Sequence, residues 1–455
     1  MSLMRSAFAL ALGLLLLGGC GSQSPPEEGA IFPYRWESHE LPNGLGVVLV
    51  DSGYPNLVGL YEVVHVGSRN EVEPGKTGFA HLFEHMMFRG TEKYPPEKWE
   101  EVMQAAGAET NAYTSDDRTV YHALFAAEDL EKILEMEADR FQNLHYTEEI
   151  FRTETRAVLG EYNKNFANPF RKLDEALRQT SFDEHTYRHT TMGFEADVEA
   201  MPEQYEYGLQ FFDRYYRPEY TTIAVVGDFD FAQAQKWIEQ YWGPWKRGDY
   251  EAKIPGEPVQ QGPRSVRVDF HAPTLPLVEI SFKAPAYDDE IVDSAALDLI
   301  SFYAFGESSE LYKKLVIEQQ IVDLLAPDYP DHVDPYPFGV IARVKKAEDV
   351  EKVQNEILAT FEDLKQNPIP ADKLEAVKSH LRYSFALGMD STGAIADTLA
   401  HYLGLRSTPE TINKRYRLYS SVTAEAIQTT AKKYFIETGR TITRLEYQAE
   451  GEAGQ

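Results

Sequence analysis

Short apolar runs and helical stripes divide the chain into elements. Residues 45–50 and 57–66 are apolar runs between turn residues and predict strands, the second apolar enough to be central. Leu41-Pro42-Asn43-Gly44 ahead of them is a turn signal. Residues 110–114 (TNAYT) predict a strand with polar side chains, and 119–126 (TVYHALFA) the strand after it. From 128 to 144, Leu130, Ile133, Leu134, Ala138 and Phe141 recur at helical spacing. Helices are also predicted over 97–106, over 147–166 and over 203–215. A strand over 221–226 follows, ending at Gly227-Asp228.

Residues 248–263 are rich in Gly, Pro and charge and predict a linker. Beyond it the order of elements recurs. A strand over 277–282 runs into Lys283-Ala284-Pro285, as residues 60–66 run into Gly67-Ser68. A helix over 289–303 stands where the first half has residues 81–89. A helix over 424–434 and a strand over 441–445 repeat 203–215 and 221–226 at a rough period of about 217 to 219 residues. The expected fold class is therefore α+β, with two homologous halves, each a mostly antiparallel sheet packed with helices. The expected division is 37–247 for the first half, 264–448 for the second, and 449–455 as a tail.

At 455 residues the chain has room for two such units. Lys and Arg number 44 against 73 Asp and Glu, a net charge of −29. That balance argues against nucleic acid, which needs a basic footprint. It also disfavours adsorption to anionic lipid, and it suits cationic peptides. Cys20 is the one cysteine, so no intrachain disulfide can form. A basic start is followed by an apolar run over 7–17 and by Leu17-Gly18-Gly19-Cys20, a secretory signal too short to span a membrane. Its ending resembles the bacterial lipobox, which implies a signal peptide over 1–19, lipidation of Cys20 and a tether over 20–36. Gly21, in place of Asp, implies retention at the periplasmic face of the outer membrane.

The candidate chemistry lies in His81-Leu82-Phe83-Glu84-His85, an H-x-x-E-H pattern. On a helix His81 and His85 share a face and can take two corners of a tetrahedral zinc site. Glu84 leans to the same side and can take a proton from a water and pass it to a leaving amine. The same residues would also suit a buried amphipathic helix, with Phe79, Leu82, Phe83, Met86 and Met87 as its core face. The helix predicted over 147–166 carries Glu154 and Glu161 two turns apart and therefore pointing the same way. Glu161 can be the third ligand, with Glu154 behind it to orient an imidazole.

These stretches together resemble the pitrilysin/insulinase superfamily of zinc peptidases, its bacterial, mitochondrial-processing-peptidase-like branch in particular. Glu161 follows His85 at the family's spacing. Leu41-Pro42-Asn43-Gly44, Asn111-Ala112-Tyr113-Thr114, Tyr216-Arg217-Pro218-Glu219 and Val225-Val226-Gly227-Asp228-Phe229 resemble its landmarks. The resemblance spans nearly the whole mature chain. It implies one zinc held by His81, His85 and Glu161, Glu84 as general base, and a substrate-binding edge at Asn111, Ala112 and Tyr113. Asn111 is the residue expected to orient the substrate backbone.

One departure is local. The family's second half carries L-R-x-x-x-x-L-x-Y, whose Arg and Tyr reach the substrate. Here Val316 and Asp323 stand at those two places, and neither can donate to a carbonyl at neutral pH. The expectation is a zinc endopeptidase for extended or unfolded peptides, working with a homologous subunit that supplies Arg and Tyr. Arg343 is the candidate for compensation within the chain. The alternative is a non-catalytic peptide-binding or scaffold subunit that retains the zinc helix.

Overall fold

The computed structural model describes residues 22–24 and 30–448. The signal peptide, Cys20 and the 449–455 tail lie outside the described residues. Twelve strands form two sheets: β1 (Ser22–Ser24), β2 (Trp36–Glu40), β3 (Gly46–Asp51), β4 (Leu57–Val64), β5 (Glu109–Thr114), β6 (Thr119–Ala126) and β7 (Thr221–Gly227) in the first, and β8 (Arg264–Phe270), β9 (Leu277–Lys283), β10 (Val322–Asp328), β11 (Pro337–Val344) and β12 (Arg440–Tyr447) in the second. The first sheet runs β1-β2-β3-β7-β4-β6-β5, the second β10-β11-β9-β12-β8.

Replacing β3 to β7 by β8 to β12 in turn converts the β3-β7-β4-β6-β5 part of the first order into the second order read from β8, and β1 and β2 have no counterpart among the described residues. Each sheet holds one parallel pair, β3 with β7 and β8 with β12, and every other pairing is antiparallel. The repeat read from the sequence is thus a repeat of topology. The helices recur likewise. In the first half they include α1 (Phe79–Met86), α2 (Leu130–Asn143), α3 (Glu148–Phe166), α4 (Pro169–Ser181) and α5 (Tyr205–Tyr215). In the second they include α6 (Val292–Ile300), α7 (Val350–Gln366), α8 (Ala371–Gly388), α9 (Thr392–Arg406) and α10 (Ala424–Tyr434).

Residues of β3 alternate between two cores. Val47 and Leu49 belong to the core of the first half, whereas Val48 and Val50 belong to a second core that also holds Ile395, Ala396, Leu399 and Leu403 of α9. A strand buried on both faces needs apolar residues at every position, which is why GVVLVD has no polar alternation. The exchange is mutual: α4 of the first half lies on β8 and β12 of the second, with Leu173 beside Leu277 and Leu445. Each half therefore lends a helix to cover the other's sheet.

Two expectations change. The tether was expected to reach residue 36, but Ile31 and Phe32 are buried in the core under α9, and their amides donate to Asn413 Oδ1 at 3.1 Å. The helix expected from residue 289 begins at Val292, because the Asp288 carboxylate takes the amides of Glu290 and Ile291 in a turn. It then widens into a π-helical turn over Ser301–Phe305. Residues 248–263 have no regular structure but are held to both halves by hydrogen bonds. Glu257 accepts the amides of Asp183, Glu184 and His185, and Gln260 donates to the carbonyl of Arg440. Among the described residues no helix is long and apolar enough to cross a membrane.

Candidate metal centre

Helix α1 begins at Gly78, whose φ of +89° is a left-handed conformation that costs glycine little. A Cβ there would stand 2.8 Å from the Met192 carbonyl oxygen. The first amides of the helix have no partner within it. Glu71 supplies one: its carboxylate accepts from Gly78 N at 2.8 Å and Ala80 N at 2.7 Å. Phe79, Leu82, Phe83 and Met86 pack into the core, which turns His81, Glu84 and His85 towards α3 and β5. Helix α3 is capped by Thr147, whose hydroxyl accepts from Ile150 N.

The two helices bring His81, His85 and Glu161 together, with one donor atom of each within 4.8 Å of the others. Among the described residues this is the one such group of three. Glu161 Oε2 stands 3.7 Å from His81 Nε2 and 3.5 Å from His85 Nε2. Both separations are too long for a good hydrogen bond. They are close to the edge of a zinc tetrahedron, about 3.4 Å at ordinary Zn–N and Zn–O lengths. Burial, helped by neighbouring His85, lowers His81 to about 4, so its imidazole is neutral with a free lone pair. Two imidazole nitrogens and one carboxylate are a donor set that could hold a catalytic zinc and would leave one tetrahedral position for water.

Glu154 is buried beside this group. Its Oε2 lies 3.1 Å from Arg89 Nη2 and 3.9 Å from His85 Nδ1, so it bridges a guanidinium and the far side of the imidazole. Glu84 accepts a 2.6 Å hydrogen bond from the Thr114 hydroxyl. Burial raises the Glu84 pKa, and the Thr114 bond and His85 pull against that rise.

Thr114 lies on β5, the edge strand of the first sheet. Side chains alternate along a strand, so Ala112 shares the face of Thr114 and packs against the α1 core. Tyr113 packs against the core under α9 instead. Asn111 is exposed and shares the Tyr113 face. The structure therefore gathers Thr114 beside Glu84 and turns the Asn111 side chain the other way. The contacts of Thr114, Glu71 and Arg89 were not foreseen from the sequence, where Thr114 stood only as the end of the edge-strand motif. The two-residue spacing of Ala112 and Thr114 was the available signal for the first.

In the second half the positions matching His81, Glu84 and His85 fall near Asp298, Ser301 and Phe302. Asp298 pairs with the buried Arg415, and Phe302 is partly exposed. Val316 packs against the second core. Asp323 is held by Arg343 through Nε at 2.8 Å and Nη2 at 3.1 Å, so that guanidinium is already committed to a carboxylate.

Residues 47–195 match the family model described as insulinase, peptidase family M16, and residues 204–381 match the one described as peptidase M16 inactive domain. The chain belongs to the M16, or pitrilysin/insulinase, peptidase family. Among its relatives, "Zinc protease PqqE" of Helicobacter pylori is 29% identical over 421 residues, covering 90% of this chain and 93% of the relative. The "Probable mitochondrial-processing peptidase subunit beta" of Schizosaccharomyces pombe is 25% identical over 84% of this chain and 85% of its own. The crystal structure of a protease from Helicobacter pylori superposes with a TM-score of 0.84 at 27% identity, covering 91% of this chain and 99% of that one. The second family model includes the stretch in which Asp298 and Phe302 stand near the positions of the histidines.

Proposed function

We propose that this chain is a zinc-dependent endopeptidase that cuts extended or unfolded peptides. The observation that carries the reading is the convergence of His81, His85 and Glu161 with Glu84 at their side. His81, His85 and Glu161 would hold one zinc, and Glu154 would steady His85 from behind. Bound there, zinc supplies a Lewis acid that polarises the scissile carbonyl and acidifies a water. Glu84 takes the proton of the attacking water and delivers it to the leaving amine. The Thr114 hydroxyl occupies one carboxylate oxygen and leaves the other for that proton. The backbone of Asn111, Ala112 and Tyr113, at the open edge of the sheet, pairs with an extended substrate by strand addition.

A developing oxyanion needs more donors than this half contains. Val316 and Asp323 offer none, and Arg343 is engaged by Asp323. We therefore assign the chain to a heteromer in which a homologous subunit contributes Arg and Tyr. The same two residues favour the second reading, a peptide-binding subunit without turnover of its own. The chain is further proposed to be exported and lipid-anchored through Cys20 at the periplasmic face of the outer membrane, with 37–247 and 264–448 as its halves. The test is zinc content and peptide-library digestion of the full chain, alone and with homologous subunits. About one zinc per chain, lost in His81→Ala, His85→Ala and Glu161→Ala, together with cleavage that rises when the partner is added, is expected. Full zinc occupancy in His85→Ala would remove the ligand assignment. Zinc binding without cleavage in any combination would leave the binding-subunit reading.

A further inference from the structure

A cavity of about 550 Å³ opens where the two halves and the linker meet. It falls within the size range of small-molecule sites. Its apolar wall comes mainly from the linker, with Ile254, Pro255, Pro258 and Val259, and is continued by Ile436 of the second half. The remaining lining includes several charged side chains. Arg69, Lys283 and Lys433 face Glu257 and Asp334, and Asp293 beside Lys433 brings the carboxylates to three, so cations and carboxylates balance.

Two of those cations have close partners. Arg69 bonds to Asp334, and Lys433 pairs with Asp293 at 2.6 Å. Lys283 differs. Its side chain is only 23% exposed, and its ammonium sits 3.9 Å from the centre of the Phe182 ring. Its carboxylate neighbour, Glu257, is 3.5 Å away. The oxygens of Glu257 also accept the amides of Asp183, Glu184 and His185, at 2.9 to 3.1 Å, so the Lys283 bond is the longest of those it accepts. An ammonium carries three donors, so Lys283 keeps donor capacity at the polar end of an apolar chamber. Burial lowers its pKa to about 8 against the pull of Glu257, as expected of a cation short of an anion.

We propose that this cavity binds an apolar monocarboxylate, its carboxylate on Lys283 and its hydrocarbon part against the linker prolines and Val259. With cations and carboxylates balanced around the cavity, a monoanion is favoured over a phosphate dianion, which would bring more uncompensated negative charge. The ligand chemistry has two natural sources, a free organic acid and the C-terminal end of a peptide. Either would touch the linker and the second half together, and would lie against Arg69 of the first.

The test is calorimetric titration of the full-length, zinc-loaded chain with octanoate and with N-acetyl-leucine, each against its neutral analogue, 1-octanol or N-acetyl-leucinamide. A hydrogen bond to a charged group is worth about tenfold or more in affinity. Saturable binding of at least one acid, at least about tenfold tighter than its neutral analogue, is expected. Lys283→Gln should lose about that factor, and Lys283→Arg should keep most of it. Binding of octanoate alone identifies a free acid, binding of N-acetyl-leucine alone identifies a peptide terminus, and both support the site. Equal binding of acid and analogue, equal binding by Lys283→Gln, or no binding of either acid at millimolar concentration would overturn it. The titration needs no turnover, so it stands or falls apart from the peptidase assignment.

Discussion

Glu84 and Thr114 come from different elements, 30 residues apart, and meet at 2.6 Å. The hydroxyl can donate to only one carboxylate oxygen, so it orients the proposed base without blocking it. Glu84→Gln is nearly isosteric and cannot accept a proton at neutral pH. It should keep its zinc and its fold while peptide turnover falls about a hundredfold to ten-thousandfold, and zinc analysis beside a cleavage assay measures both. Thr114→Val keeps the β-branched shape and removes the donor. Turnover should fall about tenfold, the rough value of one hydrogen bond to a charged group, with KM and zinc content near those of the unmodified chain. Unchanged kcat in Thr114→Val would mean that Glu84 is positioned by something else.

At the scale of the element, α1 is eight residues long, too short to persist by itself in water. Its apolar face, the left-handed Gly78 and the Glu71 carboxylate hold it in place. Glu71→Ala leaves two buried amides without an acceptor, at a cost of about 1–3 kcal/mol for an unsatisfied buried group. The expected outcome is a lower thermal midpoint together with weaker zinc retention against a chelator, because the helix that fails carries both histidines. Retention as tight as in the unmodified chain would separate the cap from the site. The H-x-x-E-H spacing was readable because a helix repeats within a few residues. Glu71 was not, because its bonds depend on the loop over 72–77 folding back.

Across the whole molecule, the two halves meet through exchanged helices and through matching hairpin loops. The β5–β6 loop presents Asp116, which accepts from Arg178 Nη1 at 3.0 Å and from His332 Nε2 at 2.9 Å, the latter on the β10–β11 loop. Burial alone would lower the His332 pKa; the Asp116 bond and charge outweigh it and raise the value above that of a free histidine. The folded chain thus holds that proton more tightly than the unfolded chain. The resulting stability is complete below about pH 6.5 and is lost as pH rises through the raised value. The thermal midpoint of the wild-type chain should therefore fall more between pH 6 and 9 than that of His332→Gln, as scanning calorimetry would register; parallel slopes would contradict this. The exchange of helices makes a second prediction. Residues 37–247 alone would expose Val48, Val50, Val63, Ala224 and Val226, now covered by α9. A patch of that kind promotes association. The isolated half should aggregate or bind a hydrophobic dye, and a soluble, monomeric, cooperatively folding half would refute it.

The sequence by itself determined the elements whose signal is local. The strand runs, the helical stripes and the duplicated order were all legible, as was the spacing that puts His81 and His85 on one face, whereas Glu161 was tied to them by the family resemblance. Apolar periodicity and a seven-residue repeat act over one or two turns of chain. Tertiary structure decided what depends on distant partners. It docked Ile31 and Phe32 on Asn413, turned Asn111 away from Glu84 and put Thr114 there, and tied Arg343 to Asp323. It also folded the linker into one wall of a cavity holding Lys283. The apolar run of β4 marked it as central, but only the folded chain shows that one cover comes from α9, more than 300 residues further on. Hydrophobic burial specifies that a face must be covered and leaves the choice of cover to the packing of the whole molecule.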